Sequence, residues 1–108
     1  MSHLCEIHPN ALVEPGAKMG AGCRVGPFAY VEAGAEMGEN CRIESHAVIK
    51  KHAILGEEVI VGHFSVVGGE PQHLSFDPAV SSKTVLGNMV RLGEGVMLKL
   101  KDIELGRK

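Results

Sequence analysis

The sequence has few aromatic residues and no tryptophan, which limits the kind of core that it can form. Phe, Tyr and Trp account for 4% of the 108 residues, although 44% of the chain is hydrophobic. Aromatic side chains supply much of the bulk of a small globular core, so aliphatic side chains must fill the interior here. The 14 glycines are too many for a helical protein and indicate turns at regular intervals.

The chain also lacks a charge excess, a long apolar run and paired cysteines. Its 11 basic and 13 acidic residues leave a net charge of −2, so nucleic acid is not an expected partner. Because no segment has the length of a membrane span and the N-terminus has no signal-like apolar region, we expect no membrane insertion and a cytoplasmic location. Cys5, Cys23 and Cys41 form no CxxC pair, which indicates free thiols, with no metal or other cofactor.

Aliphatic residues recur at every sixth position over the first two thirds of the chain. Ile, Leu, Val and Met occupy 32 of the 108 positions. Eleven of them in one phase would therefore arise by chance on the order of once in a million. A small residue, usually Ala or Cys, follows four positions after most of them. The eleven aliphatic positions are Ile7, Val13, Met19, Val25, Val31, Met37, Ile43, Ile49, Leu55, Val61 and Val67.

A period of six excludes the two simplest elements. An amphipathic helix requires apolar residues three or four positions apart, and a solitary strand alternates every two residues without a turn. Short strands joined by tight turns satisfy the pattern, and Gly20, Gly38 and Gly56 reveal a longer period of 18. The sequence therefore predicts an all-β fold, a parallel β-helix of about five three-sided coils of 18 residues.

The 18-residue register predicts which side chains lie on neighbouring coils. His46 is expected between Phe28 and Phe64, and His63 is expected above Ser45. No two histidines differ by 18, so a three-histidine metal site is not expected, and solvated histidines are the favoured interpretation. A charged column on the second face is expected to contain Glu14, Glu32 and Lys50.

The period breaks after Val67 and resumes one residue out of phase at Leu86. If Leu86 occupies the next face of the coil, Gly87 rejoins the glycine column. Residues 73–85 then form a loop that leaves the coil. A loop of this length in a regular scaffold is more often functional than not.

The last ten residues are charge-dense and leave the hexad phase. The sequence thus divides into a β-helix of residues 1–98 and a charged tail of residues 99–108. The tail either caps the open end of the coil or results from a truncation, and the sequence favours neither. Without a cap we expect end-to-end association, because open strand edges promote stacking between chains.

Four segments carry a family resemblance: Ile-His-Pro-Asn-Ala at 7–11, Val-Gly-Pro-Phe at 25–28, Ser-His at 45–46 and Gly-Gly-Glu-Pro-Gln-His-Leu-Ser-Phe at 68–76. They resemble the UDP-N-acetylglucosamine acyltransferases, the hexapeptide-repeat family that begins lipid A synthesis in bacteria. The resemblance covers roughly residues 6–96. It implies that the β-helix is left-handed and that the chain forms a homotrimer with its active site between neighbouring helices. It also implies acyl carrier protein and a UDP-amino sugar as partners.

The same resemblance assigns substrate binding to Gln72 and His73. Gln72 matches the glutamine of the family's Gln-Asp-Leu-Lys loop, whereas His73 and Ser75 replace the aspartate and the lysine. Acyl transfer needs a base within hydrogen-bond reach of the sugar hydroxyl, and the family's base lies on a later coil. We therefore assign no catalytic residue and expect a truncated family member that is inactive alone. The alternative is a non-catalytic β-helix module for assembly or scaffolding.

Overall fold

The computed structural model describes residues 5–69, 84–99 and 103–105. These segments contain strands of two to four residues, joined by tight turns, and no helix. No helix in the described residues is therefore long and apolar enough to cross a membrane. The strands are β1 (Glu6–Ile7), β2 (Leu12–Val13), β3 (Lys18–Met19), β4 (Arg24–Val25), β5 (Tyr30–Val31), β6 (Glu36–Met37), β7 (Arg42–Ile43), β8 (Val48–Ile49), β9 (Ala53–Leu55), β10 (Ile60–Val61), β11 (Val66–Gly69), β12 (Thr84–Leu86), β13 (Arg91–Leu92), β14 (Met97–Lys99) and β15 (Ile103–Leu105).

Every strand pairs in parallel with the strand three places along the chain, which produces three sheets of five strands. The first face contains β1, β4, β7, β10 and β13, the second β2, β5, β8, β11 and β14, and the third β3, β6, β9, β12 and β15. Each turn of the chain therefore crosses all three faces. The result is a left-handed parallel β-helix of five coils, which confirms the predicted fold.

The aliphatic hexad positions form the core. In most strands the first residue points outward and the second inward, as in β7, where Arg42 is exposed and Ile43 is buried. From the second to the fourth coil these inward side chains are almost completely buried, as Val31, Ile49 and Val61 illustrate. Branched aliphatic side chains suit this position because they pack well on a pleated surface. Alanines and cysteines fill the narrower space beside each corner.

The corners turn through residues in the left-handed backbone region. This conformation costs an L-residue on the order of 1–2 kcal/mol, so each such residue needs compensation from its neighbours. The corner between the first and second faces, which we call the first corner, carries three of them. The non-glycine residues with positive φ are Phe28, Asn40, His46, Glu58, Phe64 and Met89.

The coil resumes in register after the interruption, which is the break in the hexad period between Val67 and Leu86. Leu86 pairs with Leu55 and Leu92 with Val61, and Gly87 lies on Gly56, as the sequence predicts. Strand β12 begins at Thr84, so the last two residues of the expected loop belong to this strand. Strand β15 pairs with β12 inside the expected tail. The division of the chain at residue 98 remains a prediction.

Candidate functional site

The first corner brings a serine and a histidine together on adjacent coils. The register of β7 and β10 places Ser45 one coil below His63, and the Ser45 Oγ lies 2.7 Å from the His63 Nδ1. That separation is typical of a short hydrogen bond, and both side chains are partly buried. A hydroxyl bonded to an imidazole is the arrangement in which a histidine can act as a base. The first corner is therefore the candidate site among the described residues.

An exposed column of rings follows the same corner. The ring centroids of Phe28 and His46 are 5.2 Å apart and those of His46 and Phe64 are 4.7 Å apart, with interplanar angles of 27° and 16°. This aromatic column confirms the predicted position of His46 between the two phenylalanines. Stacked aromatic pairs contribute about 0.5–1.5 kcal/mol each, which offsets much of the cost of the left-handed backbone. The stacking explains why such residues are tolerated at this corner.

Carboxylates near the second face connect successive coils. Glu14 Oε1 accepts a hydrogen bond from the Ala33 amide at 2.9 Å, and Oε2 accepts one from the Tyr30 hydroxyl at 2.9 Å. The backbone bond from Ala33, followed by the bond from Tyr30, lowers the pKa of the Glu14 carboxyl. Glu32 repeats the arrangement one coil higher with the Lys51 amide. These carboxylates serve coil-to-coil contacts and do not form a catalytic pair.

The three cysteines form a column in and beside the core. Each Sγ donates a hydrogen bond of 3.1–3.3 Å to the carbonyl oxygen of the glycine 15 residues later. Hydrogen bonding with Cys41, followed by burial, raises the pKa of the Cys23 thiol. All three cysteines are free, as the sequence predicts. A buried thiol that donates to a carbonyl packs as a small apolar group.

A shallow depression of about 690 Å³ lies on the first face. Its charged lining consists of the carboxylates Glu6 and Glu44 and the guanidinium groups Arg24 and Arg42. Glu6 and Arg24 are already paired at 3.4 Å, and the two signs balance, so the depression has no charge excess to select an anion. The described part of the chain also holds no cluster of three His, Cys, Asp or Glu residues that could bind a metal.

The two residues assigned to substrate binding, Gln72 and His73, lie outside the described residues. Strand β11, which precedes them in the sequence, lies on the second face, and β12, which follows them, lies on the third. The sequence did not assign the hydrogen bond between Ser45 and His63. The signal for it was the 18-residue register, which places the two residues in one column but does not set their side-chain rotamers.

Comparison with known proteins identifies one family and a set of similar folds. A sequence profile described as the GMPPB C-terminal domain matches residues 7–108. No curated protein matches the chain. The structure resembles LpxA, a UDP-N-acetylglucosamine acyltransferase from Bacteroides fragilis, with a TM-score of 0.82 and 27% sequence identity over 86% of this chain. The chain spans 36% of the length of that structure.

Two further structures show weaker similarity. The acetyltransferase domain of PglB from Neisseria gonorrhoeae is 23% identical, with a TM-score of 0.37, over 93% of this chain and 53% of its own. A UDP-N-acetylglucosamine acyltransferase from Arabidopsis is 20% identical, with a TM-score of 0.36, over 92% of this chain and 40% of its own. At such TM-scores neither structure carries functional information for this chain.

Proposed function

Because the chain belongs to the GMPPB C-terminal domain family and has an LpxA-like acyltransferase fold, we propose that it forms the β-helical part of a sugar-nucleotide acyltransferase. In this proposal acyl carrier protein donates the acyl group and a UDP-amino sugar accepts it, as in lipid A synthesis. The TM-score of 0.82 over 86% of the chain carries the proposal. The three free cysteines suit the reducing cytoplasm, which is where we propose that the protein acts.

Gln72 and His73 bind the sugar nucleotide in this proposal. An amide both donates and accepts hydrogen bonds, and a neutral imidazole does the same through its two nitrogens. The support is their place in residues 68–76, a segment that begins within β11 and resembles the substrate loop of the acyltransferases. His73 replaces a carboxylate, so it would recognise a sugar hydroxyl without adding a negative charge.

In this proposal the 108-residue chain does not catalyse acyl transfer by itself. Acyl transfer requires a base that can reach the acceptor hydroxyl, and the family resemblance places that base on a later coil. His63, whose Nδ1 is hydrogen-bonded to Ser45, is not assigned this role, because the proposed sugar-binding residues belong to a different segment. The matched region represents 36% of the LpxA chain, so the matched residues correspond to only part of such an enzyme. Further residues are therefore needed to complete the site.

Acyl transfer is tested with acyl carrier protein thioesters and UDP-N-acetylglucosamine, and the acylated sugar nucleotide is detected by mass spectrometry. We expect no product from the purified chain under conditions in which the Bacteroides fragilis enzyme is active. We also expect Gln72→Ala to weaken binding of UDP-N-acetylglucosamine, whereas Asp77→Asn in the same segment leaves it unchanged. Product that disappears in His73→Ala would contradict the proposed inactivity.

A second candidate function is a non-catalytic module that assembles chains. The matched family describes a C-terminal domain, which is a part of a longer protein. The second face is suited to self-association because its outward column is apolar, with Leu12 and Met97 58% and 59% exposed. We propose that a homotrimer forms through this face under either function. The column contains Leu12, Tyr30, Val48, Val66 and Met97.

Light scattering coupled to size exclusion tests the assembly. Val48→Glu places a charge in the apolar column and is expected to convert the trimer to a monomer. Ile54→Glu is the matched control, because Ile54 also points outward but lies on the third face. A monomeric native chain, or equal dissociation by both variants, would be incompatible with assembly through the second face.

A further inference from the structure

The aromatic column has two ends with different surroundings. Below Phe28, the corner position of the first coil is Asn10, whose carbonyl oxygen accepts the Phe28 amide at 3.1 Å. Above Phe64, the corresponding position of the fifth coil is Gly95, whose amide donates to the His63 carbonyl at 2.8 Å. The lower end of the column therefore lies over a residue with a side chain, and the upper end lies beneath one without.

No described residue occupies the space above Phe64. Phe64 is 63% exposed, and a β-carbon placed on Gly95 would have no atom of the described residues within 4 Å. Rings in this column follow one another at 5.2 and 4.7 Å, which matches the separation of adjacent coils. The position at which the next ring would lie is therefore accessible to a planar group from solution.

Polar groups border this position on one side. Glu94 lies one coil above His63 in the neighbouring column and is exposed. The His63 Nδ1 is engaged by the Ser45 hydroxyl, which fixes the ring and leaves Nε2 for another partner. A carboxylate and an imidazole nitrogen together offer hydrogen bonds to the edge of a ring that stacks on Phe64.

We propose that the upper face of Phe64, beneath Gly95 and beside His63 and Glu94, binds the nucleobase of a nucleotide. A nucleobase combines the two properties that this position selects: a flat π-face for stacking, and an edge with hydrogen-bond donors and acceptors. The proposal rests on the proposed function, in which a nucleotide sugar is a substrate. It adds a base-binding site on described residues, separate from the segment that contains Gln72 and His73.

The chain provides its own matched controls. Phe64→Ala removes the stacking face, whereas Phe28→Ala removes the ring at the opposite end of the same column. Gly95→Phe adds a ring directly above Phe64. The backbone at Gly95 has φ of 70°, close to the 60° and 61° of Phe28 and Phe64, so the corner accommodates this substitution as it does on the coils below.

The test is a nuclear magnetic resonance titration of the 108-residue chain with UMP, GMP and ribose 5-phosphate, without an acyl donor. We expect UMP to shift the Gly95 amide and the Phe64 ring resonances, and ribose 5-phosphate to leave them unchanged. Loss of one base-stacking contact corresponds to about a 5- to 160-fold loss of affinity, expected in Phe64→Ala and Gly95→Phe but not in Phe28→Ala. Thermal unfolding of each variant establishes that it is folded.

Several outcomes would overturn the proposal. These are binding of ribose 5-phosphate as strong as that of UMP, equal loss in Phe28→Ala and Phe64→Ala, or shifts confined to residues away from the first corner. GMP binding in place of UMP supports base stacking and assigns the site to purines. The titration contains no acyl donor, so a failed acyl-transfer assay does not affect a finding that a nucleobase binds at Phe64. A titration without binding overturns the nucleobase site and leaves the acyl-transfer assay to be judged separately.

Discussion

Ser65 is a polar residue in a column that alanines fill on the coils below, and its hydroxyl joins two coils. The side chain is completely buried. Its Oγ donates to the Gly93 carbonyl at 2.8 Å and accepts from the Val96 amide at 3.1 Å. A buried hydroxyl is costly unless it is hydrogen-bonded, and here both its donor and its acceptor capacity are used. Ser65 thus connects the fourth coil to the coil that follows the interruption.

We expect Ser65→Ala to lower the free energy of unfolding by about 1–3 kcal/mol, because it removes two hydrogen bonds that each contribute about 0.5–1.5 kcal/mol. Urea denaturation measures the change. Ser65→Cys, which has nearly the same volume but bonds weakly, separates the effect of hydrogen bonding from that of packing. If the alanine variant is as stable as the native chain, the hydroxyl does not join the two coils energetically.

The buried thiols provide a second test of single residues. Cys23 and Cys41 are almost completely buried, whereas Cys5 is partly exposed. Since the thiolate is the reactive species, the raised pKa of Cys23 and its burial predict slow alkylation. Mass spectrometry after iodoacetamide treatment should find Cys5 labelled first in the folded chain and all three labelled in urea. Labelling of Cys23 before Cys5 in the folded chain would contradict the buried column.

At the scale of single elements, the short strands were predictable because each places one aliphatic residue inward at a fixed period. Register fixes Cα positions, so the sequence also predicts that His46 lies between two phenylalanines and His63 above Ser45. It does not predict side-chain rotamers, and the hydrogen bond between Ser45 and His63 depends on them. Residues 70–83 carry no hexad period, so the sequence supplies only their place between two strands.

The hydrogen bond from the Ala33 amide to the Glu14 carboxylate makes the stability of the protein depend on pH. A carboxyl whose pKa is lowered by folding stabilises the protein above its unfolded pKa, and this contribution is lost as the pH falls through the folded value. With an unfolded value of 4.5, the loss should begin near that pH and grow in more acidic solution. Glu14→Gln should lack this part of the acid-induced loss of stability.

Thermal unfolding of the native chain and Glu14→Gln between pH 7 and pH 3 measures this contribution. Glu36→Gln is the control, because Glu36 is an exposed residue on the third face. Its profile should follow that of the native chain. Parallel profiles for the native chain and Glu14→Gln would show that the contact with Ala33 does not influence stability.

At the scale of the whole molecule, the coil keeps its register across the break in the hexad period between Val67 and Leu86. Leu86 lies opposite Leu55, a separation of 31 residues where the other coils have 18, so the chain has 13 additional residues at this point. A strand displaced by one residue would turn its inward side chains outward. The aliphatic pattern that resumes at Leu86 therefore sets the register that keeps Leu86 and Leu92 in the core.

Removal of residues 71–83, which are 13 in number, should leave the β-helix folded, because Leu86 then follows Val67 by six positions. Removal of residues 72–83, one fewer, should prevent the last coil from packing. Circular dichroism and thermal unfolding of the two variants measure the difference. Equal stability of the two variants would contradict the expectation that a single extra residue displaces β12 from its pairing with β9.

The same interruption has a consequence for how the chain folds. The entropy of closing a loop grows with the logarithm of its length, so closing 31 residues instead of 18 costs only about 0.5 kcal/mol more. A buried aliphatic side chain recovers that amount several times over, as Leu86 does on the third face. The β-helix can therefore extrude a segment at any corner almost without penalty in folding, which makes its corners suitable places for new surface chemistry to arise while the core stays unchanged.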